Sequence, residues 1–515
     1  MRREALLLSS LFLACAPSGA SREAVGEHVA RTEQAFASSE ATLVDFELDG
    51  RLLSDTSEPG RLPARIEAQL MYAVGQLNGE RANGYFARLE LTTIDVEGDA
   101  PPYRIHYHAK LPVAWGGPVI PSTYELRLPA RVETEHQEAF AEKYGSSCAD
   151  TASGGAHVEA FRLFLFYRPQ NAGCQLAPED VEVMTASVKP STANSTGKYP
   201  EYDRVWEDGK LSVVTVWSRA ESIEKTGDDD EGAHAYQEFV SRSRDLLDPL
   251  GTVTAAMASP LQTDLAVGLP DGRRVEVHAR LVPADFWKSS QAAFDAWYDA
   301  LTPEADLVLY SGHAGLGRNV RALMQKGVFL PGKYVVWTVN GCDTFAYLDD
   351  TLALRRAKQN PDDPAGTKYM DVVSNVMAGY FRTSASTSMA LLDGFVRAER
   401  TYPEIFRDVD PEQIIVVTGE EDNTFVPPEA PPSPAGTDGA HPLGPTSSDP
   451  DVNEDDDETP SDDGTSDDEG SALGFACSAG SGRASGTTSP VGVALLSGLA
   501  TALLARARRR DHTRA

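Results

Sequence analysis

From about Ala41 to Lys189 the chain alternates apolar and polar residues in short runs separated by Gly, Asn and Pro: "TLVDFELDGRL", "ARIEAQLMYAVGQL", "GYFARLELTTIDV", "YRIHYHAKLPVAW", "STYELRLPARV" and "FRLFLFYRP". Period-two alternation sends successive side chains to opposite faces of a strand, and frequent breaks suit antiparallel pairing. The pattern therefore predicts an antiparallel β-sandwich over residues 41–200. From about Leu211 to Gly419 the texture changes. Apolar runs ("LSVVTVW", "VTAAMA", "RRVEVHARLV", "DLVLYSG", "YVVWTV", "EQIIVVTG") now alternate with segments of helical period, "EGAHAYQEFVSRSRDLL" and "DFWKSSQAAFDAWYDAL" among them. That order predicts an α/β domain over 205–425 with a mainly parallel sheet. The fold class expected is thus α+β multidomain.

The two ends read differently from the middle. Arg2 and Arg3 precede an apolar run too short to span a bilayer, which marks residues 1–20 as a signal peptide. Ser18 and Ala20 suit ordinary signal-peptidase cleavage, whereas Leu11–Cys15 resembles a bacterial lipobox with Cys15 as the lipidated residue. Both readings stay open. Near the other end, "SPVGVALLSGLATALLA" (489–505) is followed by "RARRR" and preceded by Cys477. An apolar helix with an arginine cluster behind it is a membrane anchor with its end held on the cytoplasmic side. The order cysteine, short apolar helix, arginine cluster over 476–515 resembles the myxobacterial C-terminal sorting segment (MYXO-CTERM). That resemblance implies surface sorting with processing at Cys477; a plain tail anchor is the alternative. Either way the chain is expected to be exported and membrane-anchored, at the outer membrane or cell surface.

Charge narrows the partners. The formal net charge is −31, which argues against a nucleic-acid binder, since phosphate contacts need a basic face. Asp449–Glu469 holds twelve acidic residues and no basic one, after a Pro/Gly/Ser-rich stretch. Such a segment buries too little apolar surface to offset its ordering entropy, so 426–475 is expected to be a disordered, extended spacer. It lacks the EF-hand pattern of spaced ligands, glycine and terminal Glu.

Five cysteines are present: Cys15, Cys148, Cys174, Cys342 and Cys477. Cys148 and Cys174 lie in turn-like sequence of one domain and form the natural disulfide pair in an oxidising compartment. The loop they close spans 26 positions, worth roughly 3 kcal/mol by the chain-entropy model. With Cys15 and Cys477 in the processing segments, the sequence leaves Cys342 unassigned. A left-over cysteine in an exported protein points to a reactive thiol or an intermolecular bridge; a buried, inert cysteine is the plain alternative.

Cys342 ends "YVVWTVNGC", and His313 follows the strand before it in "DLVLYSGHAGLG". Neighbouring parallel strands present their carboxyl ends on one side, where catalytic groups collect. A histidine there supplies the base that turns a thiol into a nucleophile. Strand–His–Gly-rich turn followed by strand–small residue–Cys resembles the caspase-, gingipain- and legumain-type cysteine peptidases (clan CD), with their caspase–hemoglobinase α/β fold. By that resemblance His313 is the general base and acid and Cys342 the nucleophile. Gly312, Ala314, Gly315 and Gly341 form the oxyanion-hole turns. The chain departs from the family at Ala314, where Gly is usual, and at Gly341, where Ala or Ser is usual.

The remaining motifs read as structural. Asn340 and Asp343 are turn formers. His106 and His108 share one strand face but have no third ligand, so no metal is expected. "FWKSSQAAFDAWY" has helical spacing and reads as core. "SASTSMALL" lacks a serine-nucleophile elbow, and "GHAGLG" lacks phosphate-loop spacing, so no cofactor is expected. Two functions fit: a surface-anchored, cysteine-dependent hydrolase acting on peptide or protein, or a non-catalytic surface protein whose first domain binds protein or glycan while the second serves as scaffold.

Overall fold

A computed structural model describes residues 40–428, apart from short segments at 151–156, 194–196, 222–229, 285, 287–291, 408 and 411–412. The signal peptide, Cys15, the acidic spacer, Cys477 and the apolar segment 489–505 lie outside the described residues. Among the described residues no helix is long and apolar enough to cross a membrane.

The first unit is one antiparallel sheet of six strands: β1 (Thr42–Ser54), β2 (Ala82–Gly84), β3 (Glu90–Glu97), β4 (Tyr103–Trp115), β5 (Thr123–Pro129) and β6 (Val181–Pro190). Their order is β2-β4-β1-β6-β5, with β3 also on β4. Among the described residues the expected sandwich is absent. Two of the six segments read as strands are helices, α1 (Leu62–Leu70) with α2 (Tyr72–Asn78), and α4 (Ala160–Phe166). With α3 (Thr134–Tyr144) they cover the apolar face of the sheet. In α1 the buried residues are Leu62, Ile66, Gln69 and Leu70, a helical spacing begun by Pro63 in the first turn. Alternating Ala and Ile with polar residues had imitated a strand. The outer face cannot stack against a second sheet because it is charged. It carries the cross-strand pairs His108–Asp49 (2.8 Å), Lys110–Asp45 (2.9 Å) and Lys189–Glu47 (2.7 Å).

The second unit is built on an eight-stranded sheet of order β14-β13-β12-β11-β7-β10-β9-β8. Its strands are β7 (Lys210–Ser218), β8 (Thr254–Ser259), β9 (Gln262–Gly268), β10 (Arg274–Val282), β11 (Leu307–Ser311), β12 (Val335–Asn340), β13 (Met370–Asn375) and β14 (Ile415–Thr418). The sheet is mixed, which corrects the expected caspase-hemoglobinase-like, mainly parallel one. The β10-β7, β11-β7, β11-β12 and β12-β13 pairs are parallel, but β8-β9, β9-β10 and β13-β14 are antiparallel. The links from β8 to β9 and from β9 to β10 are too short for the crossover that parallel pairing demands. Strand β9 had no counterpart in the sequence reading.

Helices α5 (Glu231–Leu247) and α9 (Phe381–Arg397) pack on one face of this sheet, and α6 (Ala292–Leu301) and α7 (Arg318–Met324) on the other. The aromatic run of α6 is core as expected, with Phe294 and Tyr298 buried. Every residue of β11 and β12 is buried, as central strands covered on both faces require. The two units meet directly: the Ala41 N–H donates to the Ile415 carbonyl at 2.7 Å. Ala41, Leu43 and Ala114 of the first unit share a core with Ile414 and Val416 of the second.

Candidate functional site

Strands β11 and β12 pair in parallel with Ser311 opposite Asn340. His313 and Cys342 each lie two residues further on, so they leave the sheet side by side at the same edge. The Gly312 N–H continues the ladder by donating to the Asn340 carbonyl at 3.0 Å. The His313 and Cys342 side chains share neighbours. The His313 ring meets Phe381 edge-on at 5.1 Å, and its Nε2 lies 2.8 Å from the Ala220 carbonyl oxygen. Cys342 packs on Phe381 as well, with Ala220 and Ala378 against that pair, and its Sγ lies 3.4 Å from the Gly379 carbonyl oxygen. A proton on Nε2, donated to that carbonyl, leaves the Nδ1 lone pair as the ring's basic position.

Sterics account for the glycines at this edge. A Cβ on Gly341 would stand 2.5 Å from the Gly312 carbonyl oxygen, so Ala or Ser does not fit there. A Cβ on Gly312 would strike the Ser218 hydroxyl at 2.2 Å. The Ala314 methyl, by contrast, is buried in the core with Tyr310, Val320 and Phe345. The His313 carbonyl is fixed by Tyr310 Oη (2.6 Å) and Asn319 Nδ2 (2.8 Å), which sets the turn Gly312–Gly315 rigidly.

Two observations alter the sequence picture of Cys342. It is almost wholly buried, as is His313 (2% and 5% exposed). It is also disulfide-bonded. Cys148 and Cys174 bond to each other, as expected, so the other half of the Cys342 bridge is not among the described cysteines. The elimination that left Cys342 over therefore does not hold.

Asp343 is more than a turn former. It adopts the left-handed conformation at φ 54° and is fully buried. Its Oδ1 accepts from Asn78 Nδ2 at 2.6 Å and from Asn83 Nδ2 at 2.9 Å, both in the first unit. Burial pushes its carboxyl up to about 6, against the lowering influence of the two amides and of Arg168. Asn340 keeps a local role, with its Nδ2 at 3.5 Å from Ser311 Oγ. No local pattern points to Asn78, Asn83, Ala220 or Phe381, which come from distant segments. The one local signal was an Asp directly after Gly-Cys, a residue type that tolerates φ > 0.

The other motifs stay outside the site. His106 and His108 are on the charged outer face of the first sheet, next to Glu97 and Asp49. They line an open groove with Arg51, Thr93, Val183 and Thr185. Among the described residues no group of three or more His, Cys, Asp or Glu could hold a metal. No protein-family model matches the chain, and no curated protein is significantly similar to it.

Proposed function

We propose that the protein is an exported, surface-anchored, cysteine-dependent hydrolase of peptide bonds, with Cys342 as nucleophile and His313 as general base and acid. The observation that carries this reading is the matched register of the two residues, two positions beyond the paired Ser311 and Asn340, with Phe381 touching both. The Cys342 disulfide must first be opened by a thiol reductant, which supplies two electrons and two protons. The Cys342 thiol then gives its proton to His313 Nδ1, and the thiolate adds to the substrate carbonyl carbon. The C–N bond breaks, the amine leaves with the proton from His313, and water hydrolyses the thioester with His313 again as base. The Ala220 carbonyl holds the ring in the required tautomer and steadies the imidazolium.

A peptide library offered to the exported chain, with and without reductant, tests this. Cleavage is expected only after reduction, and to fall by at least about 100-fold in both Cys342→Ala and His313→Ala. Cleavage that survives Cys342→Ala would refute the assignment.

The burial of both residues, and the disulfide on Cys342, favour a second reading in which the second unit is a non-catalytic scaffold and the bridge is structural. On that reading the reduced chain cleaves nothing, and opening the bridge lowers stability.

A further inference from the structure

We propose that Asp343, held by Asn78 and Asn83, is a positioning residue for Cys342, so that the first unit is the brace of the reactive loop and not a separate binding module. This rests on Cys342 being the reactive group, as proposed above.

The loop Gly341–Asp343 is tied down chiefly through its last residue. The Asp343 N–H donates to the Met377 carbonyl at 3.0 Å, and the Asp343 carbonyl accepts from the Ala346 N–H at 3.0 Å. Those bonds close the turn into α8 (Thr344–Tyr347). The side chain points the other way, into the first unit. Asn78, at the end of α2, anchors itself by a second bond to the Val74 carbonyl at 3.0 Å. Asn83, in β2, also donates to the Val376 carbonyl at 2.9 Å. Asn83 thus ties together the loops that follow β12 and β13. Tyr85 of the first unit meets Phe345 of α8 at a tilt, with ring centroids 4.8 Å apart.

A non-glycine residue at positive φ costs free energy and persists only where its surroundings over-determine it. Here four hydrogen bonds from two units do so, and the residue they fix is covalently next to the sulfur. The charge on Asp343 then acts on Cys342 as well. A carboxylate one residue away opposes formation of a thiolate. The titratable groups facing Asp343 among the described residues are Arg168, itself paired with Asp150 at 2.6 Å, and Tyr347 of α8. Arg168 is fixed by that pair, so the ionisation that changes the local field is that of Asp343.

The test uses the full exported chain after reduction. The rate at which iodoacetamide labels Cys342, read by peptide mapping, is followed from pH 5 to 9, with peptide turnover measured in parallel. The wild-type profile is expected to carry a limb near pH 6 in addition to the thiol's own. Asp343→Asn, which keeps the shape and the acceptor oxygen, should lose that limb and label several-fold faster above it. Asn83→Ala removes a donor from the ionised carboxylate and should move the limb to higher pH. A loop that was only structural would change the rate uniformly at all pH, and superimposable profiles for wild type and Asp343→Asn would overturn the proposal. If the limb behaves as expected but no peptide is cleaved, the positioning of Cys342 stands and the hydrolase reading fails.

Discussion

Asp343 and Asp371 are both fully buried carboxyls, and burial pushes each up to about 6. Each therefore binds its proton more tightly in the folded chain than in the unfolded one. The stability this contributes is fully present below the unfolded-state range near pH 4 and is lost as pH rises through about 6. For a shift of about two pH units the loss is on the order of 3 kcal/mol per group. Asp343→Asn should remove its share. In thermal unfolding across pH 4 to 8, the variant is expected to match wild type at the acid end and exceed it at the alkaline end. A constant gap between the two would mean that Asp343 does not titrate in this range. Gly341 belongs to the same scale. It is glycine because the Gly312 carbonyl oxygen occupies the space of its side chain, a contact between neighbouring strands that no local pattern reports.

At the scale of elements, the helices of the first unit are where local pattern and structure part. "ARIEAQL" satisfies both periods over a few residues, and Pro63 was the deciding signal for a helix start. "FRLFLFY" has strand-forming residues but folds as α4, where Leu163 and Leu165 face the core. The Cys148–Cys174 bridge spans α4, joining the turn after α3 to the turn after α4 across 26 positions. Removing it by Cys148→Ala with Cys174→Ala should cost about 3 kcal/mol, read as a lowered denaturant midpoint with a raised m-value, because the unfolded chain is no longer cross-linked. The charged outer face of the first sheet was legible: Asp45, Glu47, Asp49 and Arg51 alternate along β1 and lie on its solvent side, opposite the helices. That alternation argued for one covered face, and helices supplied the cover.

For the whole molecule, the carboxyl-terminal described residues close the second unit on the side of the sheet away from Cys342. Asp371, near the start of β13, accepts from Tyr334 Oη (2.6 Å), Tyr402 Oη (2.6 Å) and Asn423 Nδ2 (2.7 Å). The Phe425 N–H donates to the Glu201 carboxylate at 3.1 Å, so residues after β14 return to the link between the two units. Asn423→Ala would leave a buried carboxylate one donor short, and is expected to destabilise the fold by about 1–3 kcal/mol in urea denaturation at neutral pH. The cost should shrink below pH 5, where Asp371 is protonated. An effect independent of pH would place the role of Asn423 in packing.

By itself the sequence determined what depends on near neighbours. Hydrophobic runs located most strands, the boundary between two textures separated an antiparallel unit from a strand–helix unit, and the contexts of Cys148 and Cys174 paired them. Which histidine and which cysteine end consecutive strands is likewise written along the chain. Only the tertiary structure decided strand direction in the second sheet and the helical cover of the first. It also decided that Asn78 and Asn83 reach Asp343 from more than 250 residues away. The reason is physical. Period and turn chemistry act over a few residues, whereas sheet order, burial of a carboxyl and the space beside a glycine are set by segments that meet only once the chain has folded.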